Sequence, residues 1–232
     1  MTSVLKTFYN KNMIEVGIDE AGRGPMFGRV YAGAVIMPKD PDYDHKLIKD
    51  SKKLSARKRL MAYDYIKEYA VDYSVYYHNE NMIDKINILK ATMDAMHKAV
   101  DNLKTRPDHI MVDGTYFKPY AYEGIHLPYT TIEKGDNLYT NIAAASIMAK
   151  VSRDNYIIEL CKQYPDLDTY YNLSKNKGYG AKVHMDGIRK YGITKWHRKS
   201  FGICKTSNVI EIQKKVQEGE IDVEKEEIKQ EK

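Results

Sequence analysis

The sequence predicts an α/β fold, a mixed sheet covered by helices, and three observations predict it. Strand-like apolar segments come first, and strand and helix periods then alternate along the chain. Three of the strand-like segments run into acidic residues, a common way for an open α/β sheet to build a site. Two long stretches, 82–103 and 142–164, carry helical spacing.

Taken in order, Ile14, Val16 and Ile18 alternate with other residues and read as a strand ending at Asp19-Glu20. Residues 30–37 (VYAGAVIM) are a nearly continuous apolar run with small residues, suited to a buried strand paired with the first. Residues 38–43 form a turn, and Ser55 is placed to cap a helix over 55–69. Val71, Tyr73, Val75 and Tyr77 alternate as a third strand. Residues 82–103 predict one long helix with Ile83, Ile86, Leu89, Met93, Met96, Val100 and Leu103 along one stripe. Short strands over 109–112 and 130–133 lead into Asp113-Gly114 and Lys134-Gly135-Asp136. The helix over 142–164 opens on an alanine-rich turn that permits close packing. Polar loops follow Pro165, then Gly178-Tyr179-Gly180 and a helix near 182–191.

A chain of 232 residues suits one sizeable domain, expected over 1–207, with a charged tail over 208–232 that is helical or disordered. The net charge is +5, yet 208–232 holds five Lys against eight Asp or Glu, a net of −3, leaving the body near +8 (5 + 3). A basic body points weakly to nucleic acid. Cys161 and Cys204 have no metal-binding spacing and read as free thiols of a reducing compartment. The polar start lacks an apolar signal region, and no apolar run approaches membrane-spanning length. A soluble, cytoplasmic, monomeric protein with no membrane partner is expected.

The chemistry concentrates in residues 17–25 (GIDEAGRGP). Asp19, Glu20, Asp113 and Asp136 follow strand ends and converge if those strands are neighbours. Carboxylates without His or Cys favour Mg²⁺ or Mn²⁺ over zinc. Two such ions roughly 4 Å apart can clamp the attacking water and the leaving oxygen of a phosphodiester. Adjacent strand residues point to opposite faces, so Asp19 and Glu20 share a site only if Glu20 lies beyond the regular strand. Arg23, between Gly22 and Gly24, can bring its fork and the bare backbone against a phosphate or sugar.

The motifs GIDEAGRG (17–24), DSKKL (50–54), NILKATMDAM (87–96), Val112-Asp113-Gly114, Lys134-Gly135-Asp136 and IAAASIMAKVSRD (142–154) occur in that order. Lys177-Gly178-Tyr179, His184, His197-Arg198 and Ser200-Phe201 follow. Over residues 16–201 the chain resembles the ribonuclease HII family. The resemblance implies a ribonuclease H-like mixed five-stranded sheet flanked by helices, with a helical C-terminal part. It implies an endoribonuclease that cleaves the RNA strand of RNA–DNA hybrids and the 5′ side of ribonucleotides embedded in duplex DNA, leaving 5′-phosphate and 3′-hydroxyl ends. It places the metal-binding acids at Asp19, Glu20, Asp113 and Asp136. The 2′-hydroxyl reader falls on Gly22, Arg23 and Gly24, and the tyrosine beside the DNA–RNA junction on Tyr179. Lys52, Lys53, Lys150 and Arg153 are candidates for holding phosphates as positive charges.

The chain departs from the family pattern at Phe27, Arg29, Tyr139, Asn141, Asn176 and Ala181, none of them a metal-ligand position. The tail carries no aromatic residue, so no clamp-binding peptide is evident. A ribonuclease HIII is disfavoured by the presence of Arg23 in the glycine loop. A non-catalytic nucleic-acid binding module on the same fold is disfavoured by the four acids. A small-molecule α/β enzyme lacks both a dinucleotide glycine fingerprint and a P-loop lysine.

Overall fold

The computed structural model describes residues 4–40 and 45–215. In chain order the elements are β1 (Glu15–Ala21), β2 (Val30–Ile36), α1 (Ala56–Tyr69), β3 (Asp72–His78), α2 (Glu80–Ile86), α3 (Ile88–Asp101) and β4 (His109–Asp113). A small hairpin, β5 (Ala121–Tyr122) and β6 (Ile125–His126), precedes β7 (Tyr129–Ile132). The helices α4 (Thr140–Gln163), α5 (Asp166–Tyr171), α6 (Leu173–Asn176) and α7 (Lys182–Tyr191) follow, and a short 3-10 turn (Gly202–Thr206) comes after them.

The main sheet has five strands in the order β3-β2-β1-β4-β7. β1, β2 and β3 pair antiparallel, whereas β4 lies parallel to β1 and β7 parallel to β4. The mixed five-stranded sheet expected from the sequence is therefore present. Alternation along the strands divides the core into two faces. On one, Val16, Ile18, Ala32, Ile110 and Val112 pack with Met93, Met96 and Val100 of α3. On the other, Val35 and Met37 pack with Ala62 and Ile66 of α1 and Ala143, Ala144 and Ile147 of α4. A third cluster unites Phe27, Ile157, Cys161, Leu167, Tyr171, Ile188 and Cys204, so both cysteines are buried, free and structural.

The small residues of β1 and β2 set the height of α4. A methyl group on Gly17 would lie 2.2 Å from the Asn141 carbonyl carbon, and one on Gly33 would lie 2.5 Å from the Ala145 oxygen. Asn141 is itself a tie. Its Oδ1 accepts from the Met37 N–H (3.0 Å), and its Nδ2 donates to the Glu15 carbonyl (2.8 Å).

Three expectations are corrected. The single helix over 82–103 is two helices, broken at Asn87 (φ 68°), whose side chain accepts from the Lys90 N–H and caps α3. Leu89 is consequently 43% exposed rather than on the buried stripe. The polar loops expected after Pro165 contain α5 and α6, which bury Leu167, Tyr171 and Leu173. The first residues of the expected tail are joined to the body. Ile193 donates to Asn208 O (2.8 Å), Ile210 donates to Ile193 O (2.7 Å), and Ile212 packs against the third cluster. The rest of that tail, 216–232, lies outside the described residues.

Candidate active site

Parallel pairing of β1 with β4 aligns Ile18 with Val112, so Asp19 and Asp113 occupy equivalent positions at neighbouring strand ends. Both lie on the face covered by α4, because Ile18 and Val112 face α3. Gly135, in the turn after β7, donates its N–H to Asp113 Oδ1 (2.7 Å), which brings Asp136 alongside. The turn packs closely on α4: a methyl on Gly135 would lie 2.6 Å from Ile142 Cδ1. Glu20 remains inside β1, paired with Ala32, so the condition for it to share the face of Asp19, that it lie beyond the regular strand, is not met. It sits on the α3 side of the strand end, and its Oε1 accepts from Arg23 Nη1 (3.2 Å).

The four acids are coupled through charge. Burial, then repulsion from Glu20 and Asp113, holds the Asp19 carboxyl well above the ordinary carboxylate range, while Ser146 of α4 opposes the shift. Burial also raises Glu20, with Arg23 lowering it and Asp113 raising it. Asp136 is raised by burial and by Asp113 and Asp50. Lys52 responds to the same group: despite burial, Asp136, Asp19, Asp50 and Asp113 raise its ammonium. Its Nζ stands 3.9 Å from Asp136 Oδ2. Among the described residues no three His, Cys, Asp or Glu side chains converge as a ready-made metal cage. Each acid instead holds a local partner: Arg23 for Glu20, the Gly135 N–H for Asp113, Asn137 Nδ2 for Asp136 and the Glu20 N–H for Asp19.

The glycine loop lies beside the acids, and Tyr179 lies beside the loop. A methyl on Gly24 would be 3.8 Å from Tyr179 Cε1, and the tyrosine is 46% exposed. Gly178 (φ 81°) turns the chain there, and its carbonyl accepts from the Met26 N–H (3.0 Å), stitching the turn to the loop's exit. Lys150 Nζ lies 5.9 Å from the Tyr179 ring centroid and 2.8 Å from Asp154 Oδ1. Lys53 reaches Asn137 Oδ1 and lies 3.8 Å from Asp50 Oδ2.

Residues 16–204 match the family described as Ribonuclease HII. Ribonuclease HII of Phocaeicola vulgatus is 44% identical over 209 residues, covering 90% of this chain and 99% of the relative. That of Parabacteroides distasonis is 46% identical over 198 residues, covering 85% and 94%. The chain belongs to the ribonuclease HII family. The crystal structure of ribonuclease H2 from Pyrococcus horikoshii has the same fold, with a TM-score of 0.65 at 24% identity, covering 82% of this chain and 95% of that one. Membership makes the chain a ribonuclease H-type hydrolase.

Within that ribonuclease HII fold, a second sequence expectation fails on geometry. Arg153 is fully buried, so it does not present a charge to a phosphate. Its Nη2 donates to Phe27 O (2.9 Å) and its Nε to Arg29 O (3.1 Å), while Nη1 has no hydrogen-bond partner. Helical spacing placed it a turn from Lys150, but that position of α4 faces the segment between β1 and β2, which covers it. Three contributors were not singled out from the sequence. Asp50 adds a fifth negative charge near Asp136; its side chain accepts from the Lys52 N–H (2.9 Å), as a turn-capping aspartate before two lysines can do. Ser146 faces Asp19, and no sequence signal marked it inside an apolar helix. Arg198 grips the glycine loop from below, and its place in the His197-Arg198 motif was its only trace.

Among the departures from the family pattern, Arg29 lies between two rings, 4.0 Å from the Tyr77 centroid and 4.1 Å from that of Tyr156. Phe27 is fully buried against the edge of His197. Asn176 accepts from the Gly178 N–H (2.8 Å) and donates to Tyr171 O (2.6 Å). Ala181 stands at the start of α7 and offers no capping oxygen. The Tyr139 ring lies near Lys6 and Tyr9, and its N–H donates to Gly135 O (2.8 Å).

Proposed function

We propose that the chain is a metal-dependent endoribonuclease acting on RNA–DNA hybrids and on duplex DNA that contains ribonucleotides. It cleaves on the 5′ side of an embedded ribonucleotide and leaves 5′-phosphate and 3′-hydroxyl ends. The observation that carries this reading is the placement of Asp19 and Asp113 at equivalent positions of neighbouring strand ends, with Asp136 brought alongside by the Gly135 bond to Asp113 and Glu20 next to Asp19.

Hard oxygen donors without His or Cys fit Mg²⁺ or Mn²⁺, and a bound cation would offset the burial, and after it the repulsion, that raise the Asp19, Glu20 and Asp136 carboxyls. Asp19, Asp113 and Asp136 would hold the metal from the α4 side, and Glu20, on the other side of the strand end and bound to Arg23, would join them only by turning around that end. Two such ions, when bound, lower the pKa of the attacking water and stabilise the leaving oxygen. The rest is recognition by the chain itself. Gly22, Arg23 and Gly24 meet the ribonucleotide, whose 2′-hydroxyl is the backbone feature that separates RNA from DNA. The exposed Tyr179 ring stacks on the adjoining deoxynucleotide. Lys52, Lys53 and Lys150 supply positive charge for phosphates without reading sequence.

The test is a labelled DNA duplex with one ribonucleotide, incubated with Mg²⁺ or Mn²⁺. Cleavage 5′ to the ribonucleotide is expected, and EDTA or Asp19→Asn abolishes it. Cleavage that persists in EDTA would sink the metal mechanism. Binding without cleavage would identify a non-catalytic module.

A further inference from the structure

Two buried guanidinium groups hold the segment between β1 and β2 from behind. Residues 196–198 run along 26–28: the Gly28 N–H donates to Trp196 O (2.9 Å), and the Arg198 N–H to Met26 O (2.8 Å). This pairing delivers the Arg198 side chain beneath the glycine loop, where it is fully buried. Its Nε donates to Gly28 O (2.9 Å), Nη1 to Arg23 O (3.0 Å) and Nη2 to Gly22 O (2.6 Å). Arg153 adds its bonds to Phe27 O and Arg29 O and fills the space behind Gly22, where a methyl group would lie 2.3 Å from its Nε.

A trans peptide sets its N–H opposite its C=O. With Gly22 O and Arg23 O bound inward, the N–H groups of Arg23 and Gly24 are turned the other way. Among the hydrogen bonds of the described residues outside the sheet ladders, neither the Arg23 nor the Gly24 N–H donates to another protein group. Neither Arg153 nor Arg198 forms an ion pair with a carboxylate among the described residues, so positive charge stands directly behind these donors.

We propose that Arg198, backed by Arg153, is a positioning residue that fixes the polarity of the loop, carbonyls inward and N–H donors outward. The loop then selects an oxygen acceptor on the substrate, a hydroxyl or a phosphate oxygen at the ribonucleotide. This rests on the reading that the loop meets the ribonucleotide.

The experiment compares the parent with Arg198→Lys by fluorescence anisotropy in EDTA, on a single-ribonucleotide duplex and its all-DNA counterpart. Lysine keeps the charge but cannot fork to both carbonyls. Affinity for the ribonucleotide duplex is expected to fall about tenfold. A loss confined to that duplex assigns the hydroxyl oxygen, and an equal loss on both assigns the phosphate oxygen. Unchanged affinity for both overturns the proposal. Amide hydrogen exchange on the unsubstituted protein decides the matter if the variant does not fold. Arg23 and Gly24 amides should exchange freely and gain protection when the ribonucleotide duplex binds; slow exchange of both in the free protein overturns the proposal. A parent protein that neither cleaves nor prefers the ribonucleotide duplex would refute the proposed function instead, while exchange in the free protein still reports the loop's polarity.

Discussion

At the scale of single residues, the acids repel one another and the glycines admit the helix that carries their neighbours. Asp19 is the most burdened: it is buried, with Glu20 and Asp113 beside it. Asp19→Asn removes one charge from that group. In EDTA its melting temperature should equal or exceed the parent's, with each kcal/mol gained worth about 2–4 °C in a chain of this size. A lower melting temperature would mean that the carboxylate stabilises the fold. Gly17→Ala tests the packing. The added methyl meets α4 backbone rather than a movable side-chain end, so a loss of about 3 kcal/mol or more is expected by urea unfolding. The acids were legible because each follows an apolar strand. The burial of Arg153 was not, because a guanidinium in a helix reads as surface until the strands around it are placed.

At the scale of elements, the break at Asn87 shows how one backbone conformation overrides a hydrophobic stripe. The apolar spacing from Ile83 to Leu103 fits a continuous helix, yet Asn87 adopts φ 68° and ψ 163°, a region that residues other than glycine rarely visit. Its side chain offsets that cost by capping α3. Asn87→Ala loses the cap and keeps the strain, so a loss of about 1–2 kcal/mol is expected. Asn87→Gly should stay within a few tenths of a kcal/mol of the parent, since glycine adopts the conformation freely. Equal losses in the two variants would show that strain plays no part. The asparagine was visible in the sequence as an N-cap residue type, but the i, i+3, i+4 pattern continues across it, and period alone cannot register a break.

At the scale of the whole molecule, a buried histidine pair ties α7 to the 194–198 segment that runs along 26–28. His184 Nε2 and His197 Nε2 are 3.2 Å apart, and His197 Nδ1 accepts from the Thr194 N–H. Burial first, and then His184, push the His197 imidazole down to about 3. In the unfolded chain a histidine titrates near 6.5, so there the proton is taken up first. The stability this group contributes is complete above about pH 6.5 and drains away as pH falls toward 3. Between pH 7 and 5 the loss from this group should be about 2 kcal/mol. Urea midpoints for parent and His197→Gln isolate it: the variant is less stable at neutral pH, and its midpoint falls less on acidification. Parallel pH profiles would contradict the assignment. At the same scale, binding of the basic body to a duplex should weaken steeply with salt, read as the slope of log affinity on log salt concentration.

By itself the sequence determined the strands, the four acidic positions at their ends, the glycine-arginine-glycine loop and the family. These are local or ordered along the chain: hydrophobic period, residue type and motif order need no knowledge of what packs on what. Tertiary structure decided what those signals cannot encode. The parallel register of β1 and β4 sets Asp19 beside Asp113, the close approach of α4 buries Arg153, and the pairing of 196–198 with 26–28 carries Arg198 beneath a loop more than a hundred residues earlier in the chain. Each is a contact between distant segments, and its energy appears only when the surfaces meet and water leaves.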